Sequence, residues 1–238
     1  MHLEAAATSA VKAGPTLIAF PPGLAVGPAV AQIATPMPHK KAAGEILFSE
    51  GEDAESVYEV TGGMLRLYKL LPDGRRQITG FATAGHLLGL APEGICVYTA
   101  EALTEVTLRR YKRAAVERLI DEVPGFARRM LAATSQELRA AQDQMLLLGR
   151  KTAKERVASF LISLSRRAVK RRRPATPLDI PMSRTDMADF LGLTTETVSR
   201  TVTQLRKAKL IAPHGRKGIA ILDMDGLTQL VDGDSSAD

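Results

Sequence analysis

Two short helical stretches joined through a glycine constrain the fold of this chain more than any other feature of its sequence. Ser183 is a typical helix N-cap residue, and Asp186, three residues later, adds negative charge to the first turn. Gly192 can end that helix in a tight turn, and Thr194 or Thr195 can cap a second helix. The apolar positions expected to face inward are Met187, Ala188, Leu191, Val198, Val202 and Leu205. This pattern predicts a helix-turn-helix.

Two short apolar runs follow the second helix and predict a wing. Ile211 begins the first run, and residues 219–222, Ile-Ala-Ile-Leu, form the second. Between them lies a basic tip, His-Gly-Arg-Lys-Gly, at 214–218. We therefore predict a winged helix-turn-helix for the C-terminal part of the chain.

The charge of the chain is divided along its length. Residues 150–217 carry seventeen Lys and Arg against five Asp and Glu, a balance of +12. The remainder has fifteen bases and twenty-one acids, a balance of −6. A strongly basic segment is typical of a protein that binds nucleic acid, because the phosphates attract its positive charge. On charge alone, a solvated basic face is the alternative.

The outward face of the second helix carries side chains that can recognise bases. Glu196 and Arg200 are four residues apart and share this face with Thr195 and Ser199. Arg can bind O6 and N7 of guanine, Glu can accept from the amino group of cytosine, and Ser or Thr can contact thymine. We predict that all four residues contact bases. The alternative for Glu196 and Arg200 is an ordinary surface ion pair.

Other polar residues near the motif are predicted to contact DNA phosphates. Arg184 and Thr185 lie at the start of the first helix, and Arg216 and Lys217 lie at the tip of the wing. The run Arg171-Arg172-Arg173 follows a helix predicted over 151–170 and is expected in an exposed loop. We expect this run to meet phosphates or to serve solubility alone.

Short β-prone runs punctuated by glycines occupy the chain between residues 43 and 110. Residues 56–60 and 64–68 are two of these runs, and Leu71-Pro72-Asp73-Gly74 predicts a hairpin turn. Many short strands with glycine turns are typical of a β-roll or jelly roll. The prediction is an α+β chain with a loose arm over 1–35, a β-roll over 36–121, a long helix over 122–150 and the winged helix-turn-helix over 151–238.

The long helix carries an apolar stripe with heptad spacing. Its members recur at intervals of three and four residues: Leu131, Thr134, Leu138, Ala141, Met145 and Leu148. Such a stripe packs either on its own domain or on a second copy of the chain. A helix of about 25 residues is about 37 Å long and overhangs a small β domain. We therefore predict a homodimer through this stripe.

The helix-turn-helix residues resemble the signature of the Crp/Fnr family of bacterial transcription regulators. The run MSRTDMADFLGLTTETVSR at 182–200 carries the resemblance, and its ETVSR core is similar to the FixK-like branch. The runs QDQMLLL at 142–148 and RRQITGF at 75–81 also resemble Fnr. The resemblance implies a β-roll like a cyclic-nucleotide-binding domain, a dimerisation helix and a winged helix-turn-helix.

For function, the resemblance implies a cytoplasmic regulator rather than an enzyme. Such a protein binds palindromic double-stranded DNA as a homodimer, here with TTGA-type half-sites, and activates transcription by recruiting RNA polymerase. Similarity to FixK further implies control of microoxic respiration or nitrogen-fixation genes. Activation and repression at a given promoter stay open at this point.

The effector sites of the family are not matched in this sequence. The single cysteine, Cys96, cannot supply an iron–sulfur cluster, and residues 89–99 contain no arginine for a cyclic phosphate. Some FixK-like regulators have a thiol near the recognition helix, where this chain has Ser183, so we expect no oxidation switch there. We expect no cofactor and no need for a small molecule.

Two other functions are compatible with the strand pattern. A regulator of the same fold could sense haem or another small ligand, with His86 as an axial ligand, although a lone histidine beside a turn is usually expected at the surface. A cupin-type metal enzyme needs clustered histidines, whereas these are far apart in sequence: His2, His39, His86 and His214. Prolines interrupt the uncharged segment 13–38, so we expect neither a targeting signal nor a membrane segment.

Overall fold

The computed structural model describes residues 36–90 and 94–232, so the predicted arm over 1–35 lies outside the described residues. The strands are β1 (Met37–Lys41), β2 (Ile46–Phe48), β3 (Ser56–Gly62), β4 (Met64–Leu70), β5 (Arg76–Thr83), β6 (Leu87–Leu88), β7 (Thr99–Ala102), β8 (Val106–Lys112), β9 (Leu178–Asp179), β10 (Ile211–His214) and β11 (Gly218–Ile221). The helices are α1 (Arg113–Glu122), α2 (Pro124–Arg150), α3 (Ala153–Lys170), α4 (Arg184–Leu191), α5 (Thr195–Lys207) and α6 (Met224–Asp232).

The N-terminal strands form a β-roll of two antiparallel sheets. One sheet has the order β1-β8-β3-β6, and the other has the order β2-β7-β4-β5. Their apolar side chains meet in one core, which includes Leu65 and Leu67 of β4 and Val60 and Leu108 of the opposite sheet. Successive side chains of a strand point to opposite faces, so Leu65 and Leu67, two positions apart, lie on the same face.

The hairpin predicted at 71–74 joins β4 to β5. The N–H of Gly74 donates to Leu71 O at 2.9 Å, and the N–H of Leu71 donates to Arg75 O at 2.8 Å. Gly74 has φ +82°, a conformation that glycine adopts without strain. The predicted hairpin is therefore confirmed.

Two helices lead out of the roll. The sequence predicts only the roll up to residue 121, whereas residues 113–122 form α1, whose Val116 and Leu119 pack with Phe126 of α2. Pro124 occupies the first turn of α2, where its missing N–H breaks no helical hydrogen bond. Helix α2 has 27 residues and is therefore about 40 Å long.

The C-terminal part is a winged helix-turn-helix. Helix α3 begins two residues later than predicted because Thr152 is its N-cap. Strands β10 and β11 form the predicted wing, and β9 adds a third strand that is too short to show a periodic pattern. Helix α6, which the sequence analysis did not predict, packs against α3 through Leu227.

The outer face of β4 and β5 packs against the C-terminal helices. Phe81 of β5, Phe160 of α3 and Phe190 of α4 have ring centroids 5.3 to 6.5 Å apart. All three side chains are fully buried, so the roll and the helix-turn-helix share one apolar core. The predicted α+β architecture of roll, long helix and winged helix-turn-helix is confirmed.

Candidate DNA interface

Capping interactions define both helices of the helix-turn-helix. Ser183 Oγ accepts the N–H of Asp186 at 3.0 Å, and the Asp186 carboxylate accepts the N–H of Ser183 at 2.9 Å. Gly192, with φ +62°, ends α4 as predicted. Thr194 Oγ1 accepts the N–H of Thr197 at 3.1 Å, so Thr194 is the cap used of the two candidates.

The side of α5 that carries Glu196 and Arg200 faces solvent. Val198, Val202 and Leu205 are buried on the opposite side, as predicted, and this fixes the rotation of the helix. The side chains of Glu196 and Arg200 are 82% and 62% exposed, and Arg200 Nη2 lies 3.3 Å from Glu196 Oε1. An exposed pair of this kind contributes about 0–1 kcal/mol to folding. Both side chains can therefore change partners at little cost to the fold.

Hydroxyl groups complete this surface, which we call the recognition face (Thr195, Glu196, Ser199 and Arg200). Ser199 Oγ donates to Thr195 O at 2.8 Å, and Thr203 Oγ1 donates to Ser199 O at 2.9 Å. Thr195, Ser199 and Thr203 are all exposed. A hydroxyl that donates within the helix keeps lone pairs for accepting, so Ser199 can still meet a donor from outside.

Three of the four predicted phosphate contacts are exposed. Thr185 lies in the first turn of α4, and Arg216 and Lys217 lie at the tip of the wing. Arg184 is instead half-buried, and its Nη1 donates to Met187 Sδ at 3.3 Å. Burial lowers the pKa of the Arg184 guanidinium, although an arginine stays charged in proteins.

The basic loop after α3 differs from expectation. Arg171 is half-buried, and its Nη2 donates to Ala84 O of the roll at 3.1 Å. Arg172 and Arg173 are exposed. The expectation of a fully exposed arginine run is therefore wrong for Arg171, because the loop lies against the roll at this residue.

A groove beside the recognition face was not found by sequence analysis. It has a volume of about 450 Å³ and lies between the first turn of α3 and helix α5, with these residues lining it: Thr152, Ala153, Lys154, Thr197, Arg200, Thr201 and Gln204. Thr152 and Glu155 form a capping box at this end of α3. The spacing of these two residues marks the N-terminus of α3 in the sequence. The sequence does not show that this N-terminus lies beside α5, because the two come together only in the tertiary structure.

The apolar stripe of α2 is largely exposed on the single chain. Five of its six members face solvent, with Leu131, Leu138 and Met145 exposed by 70%, 60% and 64% and Thr134 and Ala141 beside them. The sixth member, Leu148, is partly buried against the C-terminal core. Most of the stripe is thus not used for packing within one chain.

Neither Cys96 nor His86 lies at the surface. Burial raises the pKa of the Cys96 thiol. His86 is 1% exposed, and its Nδ1 lies 2.7 Å from the N atom and 2.6 Å from the O atom of Thr83. The general expectation of a surface position for this histidine is therefore wrong. Residues 91–93, part of the segment searched for a phosphate-binding arginine, lie outside the described residues.

The described histidines lie on separate elements: His39 on β1, His86 just before β6 and His214 on β10. Within residues 36–90 and 94–232, no group of three His, Cys, Asp or Glu side chains is placed to hold a metal ion. Over the same ranges, no helix is both long enough and apolar enough to cross a membrane.

Models of two known protein families match this chain. The Crp-like helix-turn-helix domain matches residues 155–230, and the cyclic nucleotide-binding domain matches residues 38–123. The first match spans most of α3 through α6 and therefore contains the recognition face. The second match spans the β-roll and α1.

Two transcription regulators resemble the chain over about three quarters of its length. The transcriptional activatory protein AadR of Rhodopseudomonas palustris is 49% identical over 181 residues, which cover 75% of this chain and 74% of that protein. The nitrogen fixation regulation protein FixK of Bradyrhizobium diazoefficiens is 46% identical over 181 residues, 76% of each chain. The structure of FixK2 from Bradyrhizobium japonicum superposes with a TM-score of 0.77 and 40% identity, covering 86% of this chain and 100% of that one. The chain therefore belongs to the Crp/Fnr family and is a DNA-binding regulator of transcription.

Proposed function

We propose that this chain is a homodimeric activator that binds a TTGA-type palindrome in the cytoplasm and recruits RNA polymerase. The observation that carries the proposal is the recognition face, where Glu196 and Arg200 lie one turn apart on α5 with most of their surface exposed. Two relatives support the class of genes and the sign of regulation, since one is named an activatory protein and the other a nitrogen fixation regulator. Genes of microoxic respiration or nitrogen fixation are the proposed targets.

A second copy of the chain covers the exposed stripe of α2. Leu131, Leu138 and Met145 leave water on dimerisation, and burying an apolar side chain of this size contributes about 1.5–3 kcal/mol. Arg139 and Gln142 flank the stripe with polar groups, which confines the contact to one side of the helix, as in a coiled coil. The two α5 helices then meet half-sites about 34 Å apart, one turn of DNA.

Each recognition face contacts one half-site. Arg200 binds O6 and N7 of a guanine, and Glu196 accepts from the amino group of the cytosine in the same base pair. Ser199 and Thr195 contact the C5-methyl groups of the neighbouring thymines. These contacts account for a G·C pair beside thymine. The order TTG, followed by A or another tolerated base, comes from resemblance to the FixK-like branch.

Contacts to phosphates hold the protein in register on the half-site. Thr185 and Arg184 at the start of α4, and Arg216 and Lys217 on the wing, meet the backbone on either side of the major groove. Lys154 adds a cation to the groove beside α5, where N–H groups of the first turn of α3 also favour an anion. These contacts supply affinity without sequence preference.

The protein acts without a small molecule in this proposal. The alternative is a haem- or ligand-sensing regulator of the same fold. His86 is 1% exposed, so haem would reach its ring only by displacing the surrounding core, and this burial favours the effector-free activator over haem bound at this residue.

Transcription in vitro tests the proposal. Purified protein and RNA polymerase are given a template with the palindrome upstream of a promoter, with no added ligand. We expect more transcript than from a matched template whose half-sites are scrambled. Binding with unchanged transcript would contradict the proposed activation, and binding with less transcript than from the scrambled template would make the protein a repressor at that site. A strict need for a small molecule would favour the sensing alternative.

A further inference from the structure

Arg76 at the start of β5 joins the roll to the first helix of the helix-turn-helix. Its Nε donates to Asp189 Oδ2 at 2.8 Å, and its Nη2 donates to Asp186 Oδ1 at 3.0 Å. Gln77 Nε2 donates to Asp189 O at 2.7 Å. The Arg76 guanidinium also lies 5.5 Å from the ring centroid of Tyr68. One turn of α4 is thus bound to the start of β5 through side chains and backbone.

Arg66 of β4 makes a second connection to the same helix. Its Nη1 donates to Asp186 Oδ1 at 2.8 Å, and its Nε and Nη2 donate to the Glu101 carboxylate within the roll. The Asp186 side chain is only 3% exposed and that of Arg66 18%. Burial opposes the charge of Asp186, but hydrogen bonds from Ser183 and the charge of Arg66, among other contributions, outweigh it, so the pKa of Asp186 is lowered. The carboxylate therefore stays ionised as the centre of the cluster.

Helix α4 is also held from the side of the long helix α2. Gln144 Nε2 of α2 donates to Phe190 O at 2.9 Å. Arg156 of α3 donates through Nη1 to Leu191 O at 3.0 Å and through Nη2 to Leu148 O at 2.8 Å, so it joins the last turns of α4 and α2. The roll and α2 thus hold α4 from both sides.

The docked arrangement leaves the recognition face open. Glu196 and Arg200 keep exposures of 82% and 62% while α4 is bound to the roll. Helix α5 packs on α4, so whatever fixes α4 also fixes the direction in which α5 points from α2. The contacts described above require only residues of this chain.

We propose that Arg66 and Arg76 are positioning residues for DNA recognition, which hold the recognition helix at the angle to α2 that a two-half-site palindrome requires. The inference rests on the proposed function, because it concerns the placement of the two recognition faces in a dimer. The sequence runs at 75–81 and 182–200 thereby have one joint role, since residues of both runs contact each other across this interface.

A comparison of Arg76→Ala with Arg75→Ala tests the proposal. Arg75 is the matched control, since its side chain is 78% exposed and pairs only with Asp73 of the turn among the ion pairs described. Affinity is measured by fluorescence anisotropy on the palindrome, on a single half-site, and on palindromes with one base pair inserted or removed. We expect Arg76→Ala to lose about tenfold in palindrome affinity, as follows if about a tenth of the molecules keep the correct placement. The affinity of Arg76→Ala for the single half-site should equal the wild-type value. The control Arg75→Ala should equal wild type on both the palindrome and the half-site.

Spacing and pairing distinguish positioning from a general structural role. Arg76→Ala should also tolerate a changed spacing better than wild type, and Asp189→Ala should match it, with no further loss in the double variant. Equal losses on half-site and palindrome would mean damage to the fold and overturn the proposal. An unchanged or higher palindrome affinity would overturn it as well, the latter by making the contact inhibitory.

Failure of the proposed function is recognised separately. If wild type shows no preference for the palindrome, that function is wrong, and the interface is judged by amide hydrogen exchange of α4. Faster exchange in Arg76→Ala than in Arg75→Ala supports the positioning contact, and equal exchange overturns it.

Discussion

Replacing Arg200 with alanine separates base recognition from folding. Its side chain is 62% exposed and its ion pair is the 3.3 Å contact with Glu196, so the free energy of unfolding should change by about 1 kcal/mol or less. Losing a two-bond contact to guanine costs about 1–3 kcal/mol, and a dimer loses it twice. Specific affinity should therefore fall by about 2–6 kcal/mol if the half-sites add, which is roughly 30-fold to 2 × 10⁴-fold.

Fluorescence anisotropy at fixed salt measures this effect on the palindrome and on a random duplex of equal length. Arg206→Ala is the control, because Arg206 is exposed in the last turn of the same helix, beyond the turns that reach bases. It should lower the affinity for both duplexes alike and only slightly. If Arg200→Ala also weakens both duplexes equally, Arg200 is a phosphate contact and another residue of α5 recognises the base.

Three further changes test other parts of the account. Leu138→Glu brings two like charges together in the predicted dimer contact, which costs several kcal/mol, so light scattering should show monomers, whereas a persistent tight dimer would place the contact elsewhere. Gly192→Ala puts a side chain at φ +62° with its Cβ 3.1 Å from Leu148 Cδ2, so denaturant unfolding should show a loss of about 1–2 kcal/mol, and unchanged stability would refute the strain. Burial raises the pKa of Glu137 to about 7, above its unfolded value of about 4.3. As the pH rises from about 4 to 7, the free energy of unfolding should therefore fall in wild type and much less in Glu137→Gln. Equal pH dependence of thermal unfolding in the two proteins would contradict this assignment.

The helix-turn-helix could be predicted because its signals are local. The Ser183 cap, the left-handed Gly192 and the buried side of α5 each depend on residues within a few positions of one another. The hairpin at Gly74 is of the same kind. Such features depend on local backbone conformation and capping, and the residue types that favour them can be recognised in a single sequence.

The features that could not be predicted depend on contacts between distant parts of the chain. Arg76 and Asp189 are 113 residues apart, and no periodicity or spacing pairs them. The same holds for Arg171, which binds Ala84 of the roll 87 residues away. Helix α1 was missed for another reason, because it continues directly from β8 and leaves no turn residue to mark its start.

The contacts assigned to the recognition face rest on chemistry and placement, and the TTG half-site rests on resemblance to the FixK-like branch. Both concern one property, the sequence of the bound DNA. Selection of bound duplexes from a random pool by the purified wild-type protein, with no ligand added, measures that property directly. We predict a palindrome of two TTG-containing half-sites about one helical turn apart. An enriched sequence without two-fold symmetry, or enrichment that appears only with an added small molecule, would contradict it.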